Sequence, residues 1–301
     1  MTEKNTEILD VKLFSKFSNL YLIARNIVEG FISGLHKNIH RGSSIEFFEH
    51  RKYVPGDDLR YIDWKIFART DRFYIKTFNE ETNLKSYILL DVSNSMNFQT
   101  TELNKLQYAI YLAASLSYMM INQKDAVGLV LFDSEIKTFI HPGSTKNHLY
   151  NIMKILQEIK PGKETSISKI LKEIALHEKK RGLIILISDL LDNPSDIMKY
   201  LSLFKYNHHD VIVFHILDQQ EIFLSMEGSY QFIDMETGEK LNADTVSLRK
   251  IYRQTIEEHI SYYKKECARK NISYALANTS TKFDKFLWTY LETRTKIKGT
   301  K

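Results

Sequence analysis

The sequence predicts an α/β protein built on a doubly wound, mostly parallel six-stranded sheet. From Ser86 onward, short apolar segments alternate with longer amphipathic ones, which is typical of a parallel sheet covered by helices on both faces. The chain has 301 residues, 43% of them hydrophobic, and is therefore long enough to bury a sizeable core.

Six short apolar runs are the predicted strands. In chain order they read SYILLDVS, AVGLVLF, EIKTFI, GLIILIS, DVIVFHILD and ISYALAN. Only DSE separates the second run from the third, so we expect these two strands to form an antiparallel hairpin at a sheet edge. Apolar residues at helical spacing predict helices over 103–121, 146–159, 166–179, 194–204, 246–270 and 283–293.

Residues 1–85 are predicted to form an N-terminal helix with a β-rich extension, and residues 86–301 the main domain. Apolar residues recur at steps of three and four from Leu13 to Phe31, including Leu20, Ile23 and Ile27, and predict one helix face. Two strand-like pieces, SIEFFEHRKYV and RFYIKTFN, follow on either side of PGDDLRYIDW. We expect PGDDLRYIDW to be a structural turn with Trp64 packed on a core, and a recognition or catalytic surface is the alternative. A further hairpin is predicted within FLSMEGSYQFIDMETGEKL, with Gly238 near its turn.

Composition narrows the functional classes. The net charge is only +5, from 42 basic and 37 acidic residues scattered along the chain, so no clustered basic face predicts nucleic-acid binding. The polar start MTEKNTEILD does not resemble a secretory signal, and no apolar run is long enough to span a membrane. The single cysteine, Cys267, excludes a disulfide framework and a cysteine-based zinc site. We therefore expect a cytoplasmic protein with no membrane span.

Polar side chains end the predicted strands at one edge of the sheet. YILLDVSNSMNF changes from apolar to polar at Asp91, and Ser93 and Ser95 follow on alternate positions. Thr165 precedes a later helix, and Asp189 ends the strand GLIILIS. Because ligands bind outside the carboxyl ends of parallel strands, these five residues are expected to form one site. A carboxylate with several hydroxyls suits Mg²⁺, which prefers oxygen ligands.

Alternatives remain open for this set. Ser166 and Ser168 are neighbours of Thr165 and offer the same hydroxyl, and Asp192 is an alternative to Asp189. The structural explanation for all of them is helix capping, because Ser, Thr and Asp commonly begin helices in any α/β protein.

Two resemblances extend this interpretation. The order D-x-S-x-S, then a threonine before a helix, then a strand-end aspartate resembles the metal-ion-dependent adhesion site of von Willebrand factor type A domains. The upstream segment EFFEHRKYVPGDDLRYIDWKIFARTDRFYIKTFNEETN, leading into LLDVSNSM, resembles the family called domain of unknown function 58. This second resemblance continues through ILISDLLD and HILDQQEIF to the final helix, and so covers nearly the whole chain.

The resemblance implies a function as well as a fold. It implies that Asp91, Ser93, Ser95 and Thr165 position Mg²⁺, or Mn²⁺ in its place, that Asp189 anchors a coordinated water, and that a partner's Asp or Glu completes the octahedron. Members of the family are often encoded beside MoxR-type AAA+ ATPases, which implies an adaptor or co-chaperone in the assembly or maturation of client proteins.

ATP hydrolysis is not expected of the chain itself. In PGKETS, the residue after Lys163 is Glu164, whereas a P-loop requires Ser or Thr and a preceding spaced glycine. We therefore expect a non-enzyme. The alternative is a Mg²⁺-dependent hydrolase or phosphatase, for which only Asp189 or Asp192 is available as a general base at the strand ends. Nucleic-acid binding through the net positive charge ranks last.

Overall fold

The computed structural model describes residues 19–38, 50–54, 64–70, 72–76, 85–234 and 238–298. They fall into two compact units, one containing Leu84–Lys301 together with the chain up to Phe31, and the other Ile32–Asn83. Residues 55–63, most of the PGDDLRYIDW segment, lie outside the described residues.

The described helices and strands alternate over most of the chain. In order they are α1 (Asn19–Asn38), β1 (His50–Lys52), α2 (Trp64–Thr70), β2 (Tyr74–Lys76), β3 (Lys85–Asp91), α3 (Lys105–Asn122), β4 (Ala126–Phe132), β5 (Ile136–Gly143), α4 (Lys146–Glu158), α5 (Ile167–His177), β6 (Leu183–Ser188), α6 (Pro194–Tyr206), β7 (Asp210–Leu217), α7 (Gln219–Phe223), β8 (Ser229–Ile233), β9 (Lys240–Asp244), α8 (Thr245–Arg269), β10 (Ser273–Asn278) and α9 (Phe283–Lys298). A 3₁₀ turn, Asn94–Asn97, follows β3.

The main sheet has six strands in the order β10-β7-β6-β3-β4-β5. All neighbours are parallel except β4 and β5, which form the predicted antiparallel hairpin at one edge. Because the chain continues from β3 to β4 on one side and later to β6 on the other, the strand order reverses beside β3. The doubly wound α/β fold is thus confirmed, with the six strands at the predicted positions.

Two hydrophobic cores cover the sheet, one on each face. Along β3, Ile88 and Leu90 pack into one core, whereas Tyr87 and Leu89 pack into the other. This alternation follows from the two-residue period of a strand, and burial on both faces explains the near-continuous apolar runs of β3 and β6. The predicted inserted hairpin is also present, because β8 and β9 pair antiparallel and Gly238 has φ +76° near their turn.

The N-terminal helix differs from the prediction in two ways. Its part up to Phe31 belongs to the main unit, where Leu20, Ala24 and Val28 join the core beside α3. Ile23, expected on the buried face, is half-buried and does not join that core. The small Ala24 side chain, fully buried, lies on the packed face, and a pattern of large apolar residues alone does not reveal this. The predicted positions 11–18 lie outside the described residues.

The described residues of the smaller unit include a two-stranded sheet and the short helix α2. β1 and β2 pair antiparallel from His50↔Lys76 to Lys52↔Tyr74. Phe67 of α2 stacks on Phe73 with ring centroids 4.4 Å apart. Trp64, expected to pack on a core, is instead 61% exposed, and its ring contacts Phe67 of the same helix edge to face.

Candidate metal centre

Asp91 occupies the carboxyl end of β3, next to the point where the strand order reverses. Its side chain is fully buried because β4 and β6 flank the strand on both sides. Oδ1 accepts a hydrogen bond from the Ser93 backbone N–H at 2.9 Å, and Oδ2 accepts one from the Ser188 hydroxyl at 2.7 Å. These bonds hold the carboxylate at the mouth of the sheet edge.

The predicted hydroxyls gather around this carboxylate. The Ser93 and Ser95 Oγ atoms are 3.0 Å apart, and the Thr165 hydroxyl donates to Asp91 Oδ2 at 3.4 Å. Ser93 precedes the 3₁₀ turn but its side chain does not cap it. The neighbouring Ser166 likewise begins α5 without a side-chain cap. Helix capping therefore does not account for the Ser93 hydroxyl.

Asp189 lies beside this group and is tied to a lysine that sequence reasoning missed. Its Oδ2 accepts from Lys105 Nζ at 2.8 Å, and its Oδ1 accepts from the Leu191 N–H at 3.3 Å. Lys105 also donates to Glu221 Oε1 at 2.6 Å, and the ammonium is fully buried. The Ser95 side chain also hydrogen-bonds Asp189. Asp189 is thus linked both to the hydroxyl group and to a buried ammonium.

Burial and neighbouring charges shift the ionisation of these groups in opposite directions. Burial raises the pKa of Asp91 to about 7, and the nearby Asp189 carboxylate adds to that rise. Burial also opposes ionisation of Asp189, but the Lys105 ammonium prevails and lowers its pKa. Burial raises the pKa of Glu221 in spite of Lys105. Burial disfavours the charged form of Lys105, yet Asp189 and Glu221 together raise its pKa.

Three further strand-end residues were missed, and the sequence contained a signal for each. Ser188 immediately precedes Asp189 and donates to Asp91 Oδ2. Asp133 follows β4 and accepts from the Lys163 N–H at 3.1 Å, while Asp218 follows β7 and accepts from the Thr100 N–H at 3.1 Å. Asp133 and Asp218, together with Asp91 and Asp189, form a row of four fully buried aspartates at the ends of adjacent parallel strands.

The arrangement suits a small oxygen-liganded cation. In an octahedral Mg²⁺ site with bonds of 2.0–2.1 Å, neighbouring ligands are about 3.0 Å apart, which is the separation of the two serine oxygens. Lys105 is shared by Asp189 and Glu221, whereas no ion pair of the described residues includes Asp91. The described ranges hold no cluster of three or more His, Cys, Asp or Glu placed to share a metal. Any ion here therefore relies on hydroxyls.

Comparison with known proteins identifies the family. The family model described as protein of unknown function DUF58 matches residues 49–262, more than two thirds of the chain. The chain belongs to the DUF58 family. Uncharacterized proteins of Mycobacterium tuberculosis and Mycobacterium bovis are 24% identical to this DUF58 protein over 235 residues, which are 77% of this chain and 74% of theirs.

Solved structures share parts of this arrangement at low identity. BatB from Bacteroides thetaiotaomicron has a TM-score of 0.45 and 15% identity, over 71% of this chain and 99% of its own. An aerotolerance-related membrane protein from Bacteroides fragilis has a TM-score of 0.46 and 20% identity, over 67% and 95%. The SpRpn10 VWA domain has a TM-score of 0.34 and 12% identity, over 44% and 75%. In the DUF58 protein, no described helix is both long and apolar enough to cross a bilayer.

Proposed function

We propose that this DUF58 protein is a non-catalytic protein-interaction module that binds Mg²⁺, or Mn²⁺, and through it a carboxylate of a partner protein. Asp91, Ser93, Ser95 and Thr165 would hold the ion, with Asp189 orienting the Ser95 side of the site. The bound ion supplies an electrophilic position for an oxygen ligand from outside the chain. Hydroxyl ligands do not neutralise it, so its charge stays available to a partner Asp or Glu.

The observation that supports this proposal most is the packing of three uncharged hydroxyl oxygens around one buried carboxylate. Among the described residues, Asp91 has no counter-charge of its own: burial raises its pKa, and the buried Lys105 ammonium bonds Asp189 and Glu221 instead. A cation at Asp91 offsets that deficit. The position of Asp91 beside the reversal of strand order supports the proposal, because ligands of open α/β sheets bind at that place.

Hydrolysis is the less favoured alternative, on a specific observation. A general base should have a pKa near the working pH and an unblocked oxygen. Asp189 has a lowered pKa and both of its oxygens accept hydrogen bonds, while Asp192 accepts from the Ser168 N–H at 3.0 Å. Neither residue predicted as a base is well suited to that role.

Metal binding is tested first with Mn²⁺ alone, by loss of its free-ion electron paramagnetic resonance signal, and by thermal unfolding in Mg²⁺. At ~100 times the dissociation constant, the ion stabilises the fold by ~2.7 kcal/mol. Asp91→Ala should lose both effects and Ser93→Ala should weaken them. Ser134→Ala, a hydroxyl near Asp133 and outside the set, is the matched control. Equal Mn²⁺ binding by wild type and Asp91→Ala would rule out the site.

Partner binding is the second stage. We propose a MoxR-type AAA+ ATPase as the partner, with the DUF58 protein acting as its adaptor or co-chaperone for client proteins. Pull-down with a purified ATPase of this type should require Mg²⁺ and fail with Asp91→Ala or with chelator. A panel of phosphoesters should show no Asp91-dependent release, and turnover that depends on Asp91 would favour the hydrolase instead.

A further inference from the structure

The strand β10 forms one edge of the main sheet and is the least covered of its parallel strands. It pairs only with β7. Every residue of β7 after Asp210 is buried, whereas Ser273 of β10 is exposed and Tyr274, Ala275 and Leu276 are half-buried. In the part of the chain that the structure describes, no strand lies along its outer side. An edge of this kind presents backbone N–H and C=O groups that can pair with another strand.

The opposite edge of the sheet is protected, and β10 is not. β5 pairs with β4 through two register irregularities, and it carries Lys137 and Pro142, features that discourage the addition of a further strand. β10 reads SYALAN, with regular pairing along its full length and neither a charge nor a proline. The two edges of one sheet thus differ in the features that prevent strand addition.

Two grooves lie beside β10 and share much of their lining. The groove next to α9 has a volume of about 600 Å³ and is lined by Ala275, Phe286 and Tyr290 among others. The groove next to α8 has a volume of about 410 Å³ and is lined by Ile260 and Lys264. Tyr274 and Leu276 of the strand line both. A strand added to β10 would direct alternate side chains to opposite faces of the sheet, because Ala275 of β10 packs on the core beside α9 and Tyr274 on the core beside α8.

The charge of the groove lining indicates which kind of partner would bind beside β10. Lys264 is the only charged residue lining either groove, it is exposed, and it makes no ion pair among the described residues. In a second copy of this chain, the strand paired edge to edge would be SYALAN, which carries no acidic side chain to complement Lys264. A partner segment with an acidic side chain complements Lys264, so the charge favours a different protein over a copy of this one.

We propose that β10 is a docking site for an extended segment of a partner protein, which adds to the sheet as a seventh strand. Backbone hydrogen bonds to the β10 edge would supply affinity. Apolar side chains in the groove beside α9 and an acidic side chain near Lys264 would supply specificity. This site uses none of the residues of the proposed metal centre.

The test uses random ten-residue peptides displayed on phage and selected on the full chain. A recovered peptide is then synthesised with a fluorophore and titrated by anisotropy. Lys264→Glu should weaken binding at least about tenfold, and a Glu→Lys or Asp→Lys change in the peptide should restore it. Lys265→Glu, an exposed neighbour outside the groove lining, is the matched control and should change affinity less than about twofold.

Two further arms separate strand addition from other binding. Methylation of alternate peptide backbone nitrogens should abolish binding, because it removes the donors that pair with β10. Ala275→Tyr should also block binding by filling the groove beside α9. Recovery of no peptide, or of peptides indifferent to both Lys264→Glu and N-methylation, would overturn the proposal. A dimer in sedimentation equilibrium that Ala275→Tyr dissociates, without peptide binding, would assign the edge to a second copy.

Discussion

At the scale of single residues, Asp91 is held in an environment that resists its charge. Burial raises its pKa to about 7, whereas an aspartate in an unfolded chain has a pKa of about 3.9. Between these two values the folded chain binds more protons than the unfolded chain. The contribution of Asp91 to the free energy of unfolding therefore falls as pH rises from about 4 to 7 when no metal is bound.

Replacement of Asp91 should accordingly have opposite effects with and without metal. In chelator at pH 8, Asp91→Asn should unfold a few degrees above wild type, because it removes a buried charge without a counter-ion. In Mg²⁺ the order should reverse, since only wild type gains from the ion. Thermal unfolding at pH 5 and pH 8 measures both effects. Asp210→Asn, at an exposed strand start, is the control, and a variant less stable than wild type in chelator at pH 8 would contradict the prediction.

Lys105 is the second buried residue whose replacement should change the unfolding free energy strongly. Lys105→Met leaves Asp189 and Glu221 buried without their cation, which should cost ~3–5 kcal/mol of unfolding free energy. Lys205→Met, which breaks a surface pair with Asp210, should cost less than ~1 kcal/mol. Urea denaturation compares the two.

A triple variant keeps this prediction testable if Lys105→Met does not fold. Lys105→Met combined with Asp189→Asn and Glu221→Gln removes all three charges and should recover most of the lost stability. If the triple variant is as unstable as the single one, the packing of the lysine chain matters and the ion pairs do not.

At the scale of elements, two glycines should respond to alanine with opposite signs. Gly128 lies in β4, where an added Cβ would approach Ile140 O of β5 to 2.7 Å and the Tyr87 ring of β3 to 2.9 Å. Gly30 lies in α1 with nothing within 4 Å of that position. Gly128→Ala should therefore destabilise the protein, and Gly30→Ala should stabilise it by ~0.5–1 kcal/mol through the lower entropy of the unfolded chain.

Paired denaturation curves of these two variants measure the difference. A neutral Gly128→Ala would mean that β3, β4 and β5 are packed less tightly than the structure shows. The result bears on the metal centre, because the same three strands include the one that carries Asp91.

At the scale of the whole molecule, acid stability should depend on a histidine beneath the sheet edge. Burial lowers the pKa of His215 to about 3, with a further contribution from His259, and its Nδ1 lies 2.8 Å from the Tyr274 hydroxyl. Between about pH 6.5 and 3, the His215 imidazole is protonated in the unfolded chain but not in the folded chain. Stability attributable to His215 is therefore lost as pH falls through that window.

A histidine replacement isolates this effect from the other titrating groups. The stability of His215→Gln relative to wild type should rise by up to ~1.4 kcal/mol for each pH unit below about 6.5. His208→Asn, at an exposed position with φ +63°, should show no such trend. A His215→Gln difference that stays constant from pH 7 to pH 5 would contradict the assignment. Chemical denaturation at three pH values is sufficient to measure it.

Much of the fold could be predicted because its strands are buried on both faces. A continuous apolar run such as LIILIS is typical of a strand that helices cover on both faces. Ligands bind at the carboxyl ends of such parallel strands, and this general observation led to the prediction that Asp91, Thr165 and Asp189 lie close together. Lys105 could not be found in the same way. In the sequence it is one polar residue at the start of an amphipathic helix, and only the return of β6 and α7 places two carboxylates on it.

The buried lysine also bears on how the protein exists when magnesium is scarce. In a zinc finger the metal holds the chain together, and its removal unfolds the domain. In this protein, the cation at the strand ends is the ammonium of Lys105, which is part of the chain. It links α3 to the end of β6 through Asp189 and to α7 through Glu221. If the proposed site binds Mg²⁺, we therefore expect the chain to fold without the ion. Mg²⁺ would then bind to and dissociate from a molecule that stays folded.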